Sequence, residues 1–395
     1  MKQLKLFTAI TSIALILFTS CKKEVTPENV IDDATVTAQS ARLSPALRAK
    51  LARLRTSLPA GSEKRLQINS QLLLKIHPDY KSIINRAIRR AAATTCDDNT
   101  PVKNWLNDQI ADWDNDVIYF AVITGMLDLP IYDALLFENS SNGQYFGSNQ
   151  QYTHLQTKTF KDLKRFWDIQ SENIVLAGMH GNMLANREKL IRIDIALYGD
   201  SPALAGYWAD LILSLLKDIP QYRNGNHPIF TFNSFAQPAT TFPGLSPIPD
   251  KIIMGDGIME AFDAIGYNDV SSQAILAHEF GHHIQFQLNL LSTSGTPEAS
   301  RRAELMADAY SSYYLSHARG ASMQWKRVKQ FLQVFFNIGD CSVASSDHHG
   351  TPSQRMAAAQ WAYELADKAK KQGHILSSAS FAAMFDAALP VILMH

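Results

Sequence analysis

Ile275-Leu276-Ala277-His278-Glu279-Phe280-Gly281-His282-His283-Ile284-Gln285 carries His-Glu-x-x-His inside an apolar run that no proline interrupts. The run predicts a helix, with Ile275, Leu276, Phe280 and Ile284 supplying its buried face. Positions i and i+4 lie one above the other on a helix. His278 and His282 therefore aim two imidazole nitrogens at one point, as two neighbouring ligands of a tetrahedral zinc ion (Zn2+) require. Glu279 lies next to a ligand, so its carboxylate reaches a water on that metal without binding it. That is the arrangement of zinc-assisted hydrolysis with a Glu general base. The competing reading is a surface helix rich in histidine. Gly281 costs about 1 kcal/mol of helix propensity, so a close approach by another element is expected there. His283 points about 100° around the helix from His282 and is not expected to be a ligand.

Working outward, Asn268 and Asp269 are expected to cap this helix, which runs from about Val270 to Leu290. Ser292 to Gly295 breaks it, and Pro297 and Glu298 open a second helix to about His317. That helix carries Glu304-Leu305-Met306-Ala307-Asp308. Returning antiparallel after a short turn, it brings Glu304 over the two histidines as third ligand, which leaves one position open for water. Asp308 lies one turn beyond on the same face. It is placed to accept a hydrogen bond from the far ring nitrogen of a ligand histidine and so fix its tautomer. Taken alone, Glu304 and Asp308 would read as two surface carboxylates. Hydrolysis also calls for a second donor to the developing oxyanion. His349, His348, Arg355, Tyr310, Tyr313 and Tyr314 are the candidates; the sequence does not choose among them, and His349 is carried forward as a catalytic candidate.

The remaining elements are mostly helical. Leu43–Leu58, Pro202–Leu216, Met323–Phe336, Pro352–Lys371 and Ser377–Leu389 are expected helices, the last ended by Pro390. Phe230–Phe235 alternates as a strand, and Lys251–Met254 is a second short strand whose edge is expected to take an extended substrate peptide. The fold class expected is α+β, mostly helical, with a short edge strand before the motif helix. His180 reads as an ordinary loop or core residue. No role follows for the first half of the chain.

The chain of 395 residues has 37 Lys+Arg against 37 Asp+Glu, so no basic excess points to nucleic acid. At the start, Lys2 and Lys5 precede an apolar stretch from Leu6 to Phe18 that is too short to span a bilayer comfortably. Phe18-Thr19-Ser20-Cys21 then resembles a bacterial lipobox with Phe18 in place of the usual aliphatic residue. The expectation is cleavage before Cys21, lipidation of that cysteine, and attachment to a membrane of the bacterial cell envelope, on the periplasmic face or the cell surface. The expected division is a signal peptide over 1–20, a flexible tether over 21–45, a helical or mixed region over 46–200, and the zinc-site domain over 201–395. Outside the cytoplasm Cys96 and Cys341 are candidates for a disulfide.

Ala277–Gln285, Glu304–Asp308 and His349-Gly350-Thr351-Pro352-Ser353-Gln354-Arg355 resemble three successive motifs of the bacterial neutral zinc metallopeptidases. Asn233-Ser234-Phe235-Ala236 with Lys251-Ile252-Ile253-Met254 is similar to the block before the zinc helix in the CAAX prenyl protease and heat-shock metalloprotease family. Both groups are gluzincin-like. The resemblance covers about residues 229–361. It implies a zincin-like metallopeptidase domain with His278, His282 and Glu304 as zinc ligands, Glu279 as base, and a peptide or protein as substrate. The absence of a run of about 20 apolar residues after the leader argues against CAAX processing. The contrasting expectation is a non-catalytic envelope lipoprotein or binding module with a structural zinc site. A zinc amidase acting on cell-wall peptide is a variant of the first.

Overall fold

The computed structural model describes residues 43–62, 65, 100–241, 244–292, 296–337, 349–369 and 373–395. Cys21, Cys96, Cys341, His348 and the expected leader lie outside them. Ahead of the sheet come α1 (Pro45–Thr56), α2 (Pro101–Gln109), α3 (Asn115–Ile123), α4 (Leu129–Leu136) and α5 (Thr153–Phe166). Strand β1 (Val175–Met179), helices α6 (Arg187–Tyr198) and α7 (Pro202–Asp218), and strands β2 (Ser234–Gln237) and β3 (Lys251–Gly255) follow. The rest is helical: α8 (Asp256–Ala264), α9 (Asn268–Gln287), α10 (Pro297–Ser316), α11 (Trp325–Asn337), α12 (Pro352–Ala369) and α13 (Ser378–Ile392). The mostly helical α+β expectation agrees with this.

The three strands form one sheet in the order β1-β3-β2. β1 runs parallel to β3, with Val175 opposite Lys251, and β2 runs antiparallel to it, with Ser234 opposite Met254. Alternation along the strands divides the apolar side chains between two cores. Leu176, Ile252 and Met254 face one core with α9, α10, α11 and α12; Ala177, Met179 and Ile253 face the other with α3, α4, α6 and α7. The outer edge of β1 is occupied by side chains of the preceding loop: Ser141 Oγ accepts from Leu176 N and Gln144 Oε1 from Gly178 N, both at 2.9 Å.

This topology corrects one expectation. The strand beginning at Lys251 is the middle of the sheet, so it offers no open edge to a peptide; β2 is the edge strand. Lys251 itself, though charged, is fully buried. It points to the same face as Ile253, where its ammonium donates to the carbonyls of Ala134 (2.9 Å) and Leu135 (2.7 Å) at the end of α4. A cation at a helix C-terminus satisfies carbonyls that have no partner within the helix. β1 and α5, before residue 201, pack with β3 and α9, after it.

α9 crosses α10 closely, and Gly281 is at the crossing. A Cβ there would lie 3.2 Å from Ala307 Cα and 3.2 Å from Tyr310 Cβ, closer than packed carbons usually come. Its missing side chain lets the two motif helices touch. Two boundaries differ from expectation. Neither Asn268 nor Asp269 caps α9; Asp269 sits in its first turn and pairs with Arg327 (2.8 Å). Pro390 does not end the last helix but sits within its final turn.

His227 illustrates how the core treats a titratable group. It is 1% exposed, its Nε2 donates to Gln109 O (3.0 Å), and its Nδ1 accepts from Ile229 N (3.2 Å). The ring is therefore neutral, and burial pushes its pKa down to about 4 against the weaker pull of the Gln109 carbonyl. An unfolded histidine takes its proton below about pH 6.5. Between that pH and about 4 the unfolded state holds the extra proton, so stability falls as pH drops through this window. The His227 contribution to the loss should reach about 3 kcal/mol. Urea unfolding at several pH values will show it as a slope that His227→Gln flattens.

Candidate functional site

One helical turn sets the centre of the site. His278 and His282 stand four residues apart on α9, and their Nε2 atoms come to 3.1 Å of each other with the rings perpendicular. From α10, Glu304 places Oε2 3.3 Å from His278 Nε2 and Oε1 3.4 Å from His282 Nε2. Glu279 is buried beside them, and ligand atoms of His278, Glu279 and His282 lie within 4.8 Å of one another. The Ser234 hydroxyl, on β2, donates to Ile253 O (3.0 Å) and is near enough to Glu279 to pull its pKa down slightly.

A layer of buried polar groups holds this arrangement. His278 Nδ1 donates to Asp308 Oδ1 (2.8 Å), and Arg355 grips the same carboxylate through Nε (2.8 Å) and a terminal nitrogen (2.7 Å). Asp308 is 0% exposed and Arg355 2%, so the pair is screened from water. Arg355 also stands 3.9 Å from Glu304 Oε2. Its position follows from a reciprocal cap at the start of α12: Gln354 N donates to Thr351 Oγ1 (3.1 Å) and Thr351 N to Gln354 Oε1 (3.2 Å). Gly350, at φ +96°, makes the turn into that cap, and a Cβ there would strike Leu305 at 2.9 Å. On the other side of the site His282 Nδ1 donates to Gln285 Oε1 (2.8 Å), and Gln285 Nε2 donates to Ala303 O (2.6 Å).

Burial opposes charge on His278, yet the hydrogen bonds and charges of Asp308 and Glu304 outweigh it and push the ring up to about 10. Burial and the His278 charge hold His282 down at about 4 in spite of Glu304. Burial pushes Glu279 up to about 7, against the opposing pull of His278. Burial would also raise Glu304, but the imidazoles of His349, His282 and His278 hold it well below the usual carboxylate range.

Comparison with protein-family models, with curated proteins and with solved structures finds no match. What the site can do follows from its own atoms. His278, Glu279, His282, Glu304 and Asp308 are brought together as expected. His349 is half-buried and close enough to act electrostatically on Glu304 and His282. Other candidates for the second donor are engaged elsewhere. Tyr310 donates to Ser378 O (2.8 Å), Tyr313 accepts from Leu376 N (3.2 Å), Tyr314 is packed edge-on to Phe166, and Arg355 is bound to Asp308. His283 donates to Lys251 O (2.8 Å) and ties α9 to the sheet, away from the donors. His180, at the end of β1, bonds Asp256 (2.9 Å) and stacks on Tyr145.

Three contributors escaped sequence reasoning. Gln285 is a turn beyond His282, a spacing that places it beside the ring. Thr351-x-x-Gln354 is a legible capping box. Ser234 carries no local signal at all, because only the pairing of β2 with β3 sets it over α9.

Proposed function

We propose that this chain is a zinc-dependent endopeptidase. The observation that carries the reading is the convergence of His278 Nε2, His282 Nε2 and Glu304 at separations of 3.1, 3.3 and 3.4 Å. A tetrahedral ion bonded at about 2.0–2.2 Å separates its ligand atoms by roughly 3.3–3.6 Å. The tautomers agree with this. Both Nδ1 atoms give their hydrogens to acceptors, Asp308 and Gln285, which turns both Nε2 atoms toward the Glu304 carboxylate. Without a metal the positive charge there is a proton on His278, whose ring is pushed up to about 10, and a bound cation would take that proton's place.

His278, His282 and Glu304 would hold the zinc, which when bound supplies Lewis acidity to a water and to a carbonyl oxygen. Glu279 is left to move protons. Its carboxylate takes one from the attacking water and delivers it to the departing amine. His349 supports the oxyanion as it develops, and β2 gives an extended peptide a strand to lie against. Attachment through a lipidated Cys21 to the cell envelope belongs to the same reading and rests on the sequence around that residue. Among the described residues no helix is long and apolar enough to cross a membrane.

The test is metal content and cleavage together. Purified protein should bind one zinc per chain and cut an unfolded protein, lose cutting to a chelator, and regain it with zinc. Protein that takes up no zinc would end the proposal; stoichiometric zinc without cleavage would favour the binding-module reading.

A further inference from the structure

We infer that Gln285 is the positioning residue that sets both the tautomer of His282 and the register of Glu304 over it. The inference rests on the zinc reading above for its consequence, but its geometry stands on the two hydrogen bonds of one amide. The oxygen accepts from His282 Nδ1 at 2.8 Å and the nitrogen donates to Ala303 O at 2.6 Å. Ala303 immediately precedes Glu304 on α10. Because the nitrogen is committed to a carbonyl, which only accepts, the oxygen must face His282. His282 must then carry its hydrogen on Nδ1 and present a bare Nε2 to the donor cluster. The same side chain spans from α9 to α10 at the level of the third donor. It measures the distance between the helix that supplies two donors and the helix that supplies one.

The two histidines are thus held by different chemistry. His278 leans on a carboxylate whose charge Arg355 balances. His282 leans on a neutral amide, which adds no charge to the site. Only a side chain with an acceptor and a donor at its tip does both jobs at this position. A carboxylate offers acceptors alone, and a thioether offers neither in strength.

Gln285→Met keeps length and bulk and removes both bonds; Gln285→Glu keeps the acceptor for His282. Hydrogen-bond partners of metal-bound histidines are typically worth about 10- to 100-fold in metal affinity. Zinc competition with a chromophoric chelator should show Gln285→Met weaker by that order, and Gln285→Glu, which keeps the acceptor for His282 but loses the bond to Ala303 O, weakened by an intermediate amount. Thermal unfolding of the zinc-free proteins separates this from a merely structural role, which would lower the midpoint and leave affinity unchanged. Histidine-ring nitrogen NMR of the zinc-free native protein gives a readout without metal. His282 should be protonated at Nδ1, and the methionine variant should shift toward the other tautomer. A native His282 protonated only at Nε2, or a methionine variant that binds zinc as tightly as the native protein, overturns the inference. If the native protein takes up no zinc, the function proposed above fails while the tautomer still decides the role of Gln285. If the methionine variant does not fold, native NMR and the glutamate variant decide it.

Discussion

Replacing Glu279 by Gln will reduce peptide cleavage by about two to four orders of magnitude, the usual worth of a positioned general base, and will leave zinc binding intact. The substitution is nearly isosteric. The residue is buried, so a change in shape would be felt, but the amide fills the same volume. His278, His282 and Glu304 keep all their contacts. What is lost is the capacity to take a proton from water and pass it on. The measurement is kcat/KM on a peptide reporter beside zinc content on the same preparation. Cleavage at the native rate by the zinc-loaded Gln variant would remove Glu279 from the mechanism.

Asp308→Ala should be the most destabilising change near the site, by about 3–5 kcal/mol, the range measured when a buried ion pair loses one member. Asp308 receives two hydrogen bonds from Arg355 and one from His278. Without it the guanidinium loses its bidentate partner in a place screened from water, and Glu304, 3.9 Å away, becomes a carboxylate within its reach. Urea unfolding should show the loss of stability and zinc titration a loss of affinity. The double variant Asp308→Leu with Arg355→Met separates the two effects. Removing both charges together should return most of the stability. It should not return zinc affinity, because His278 Nδ1 still lacks an acceptor. If the double variant recovers both, Asp308 serves the fold and not the histidine.

The donors were legible because they depend on helical spacing, which is local. His278 and His282 need only one turn of α9, and Asp308 follows from Glu304 by the same step on α10. The short connection between the helices made their antiparallel return predictable. The sheet was not legible in this way. Nothing within Val175–Met179 says that it will lie parallel to Lys251–Gly255, because parallel pairing is fixed by what packs on both faces. The open edge expected at Lys251–Met254 failed because the sequence does not show that β1 and β2 pair with both sides of that strand. Its ammonium meanwhile finds the end of a helix inside the protein. Pro390 misled because in the last turn a proline forgoes one bond and crowds one carbonyl, with little helix beyond it left to disrupt. Arg355 stood in a motif, but its service to Asp308 depends on α12 packing against α10, a contact that spacing cannot foresee.

The parallel pair of β1 and β3 also governs how the molecule can be cut. A fragment beginning at residue 201 would keep His278, Glu279, His282, Glu304 and Asp308 and still be the wrong unit. It would strip one side of β3, leaving Ile252, Ile253 and Met254 on a strand with unpaired backbone groups. It would also uncover the α9 face against which Phe160 packs on Phe280, and would free the buried Lys251 ammonium from α4. A sheet edge of that kind recruits other chains. The smallest portion that keeps this sheet paired and both cores covered therefore reaches back at least through α4 and α5, and the segment with no motif of its own supplies the strand that pairs with β3.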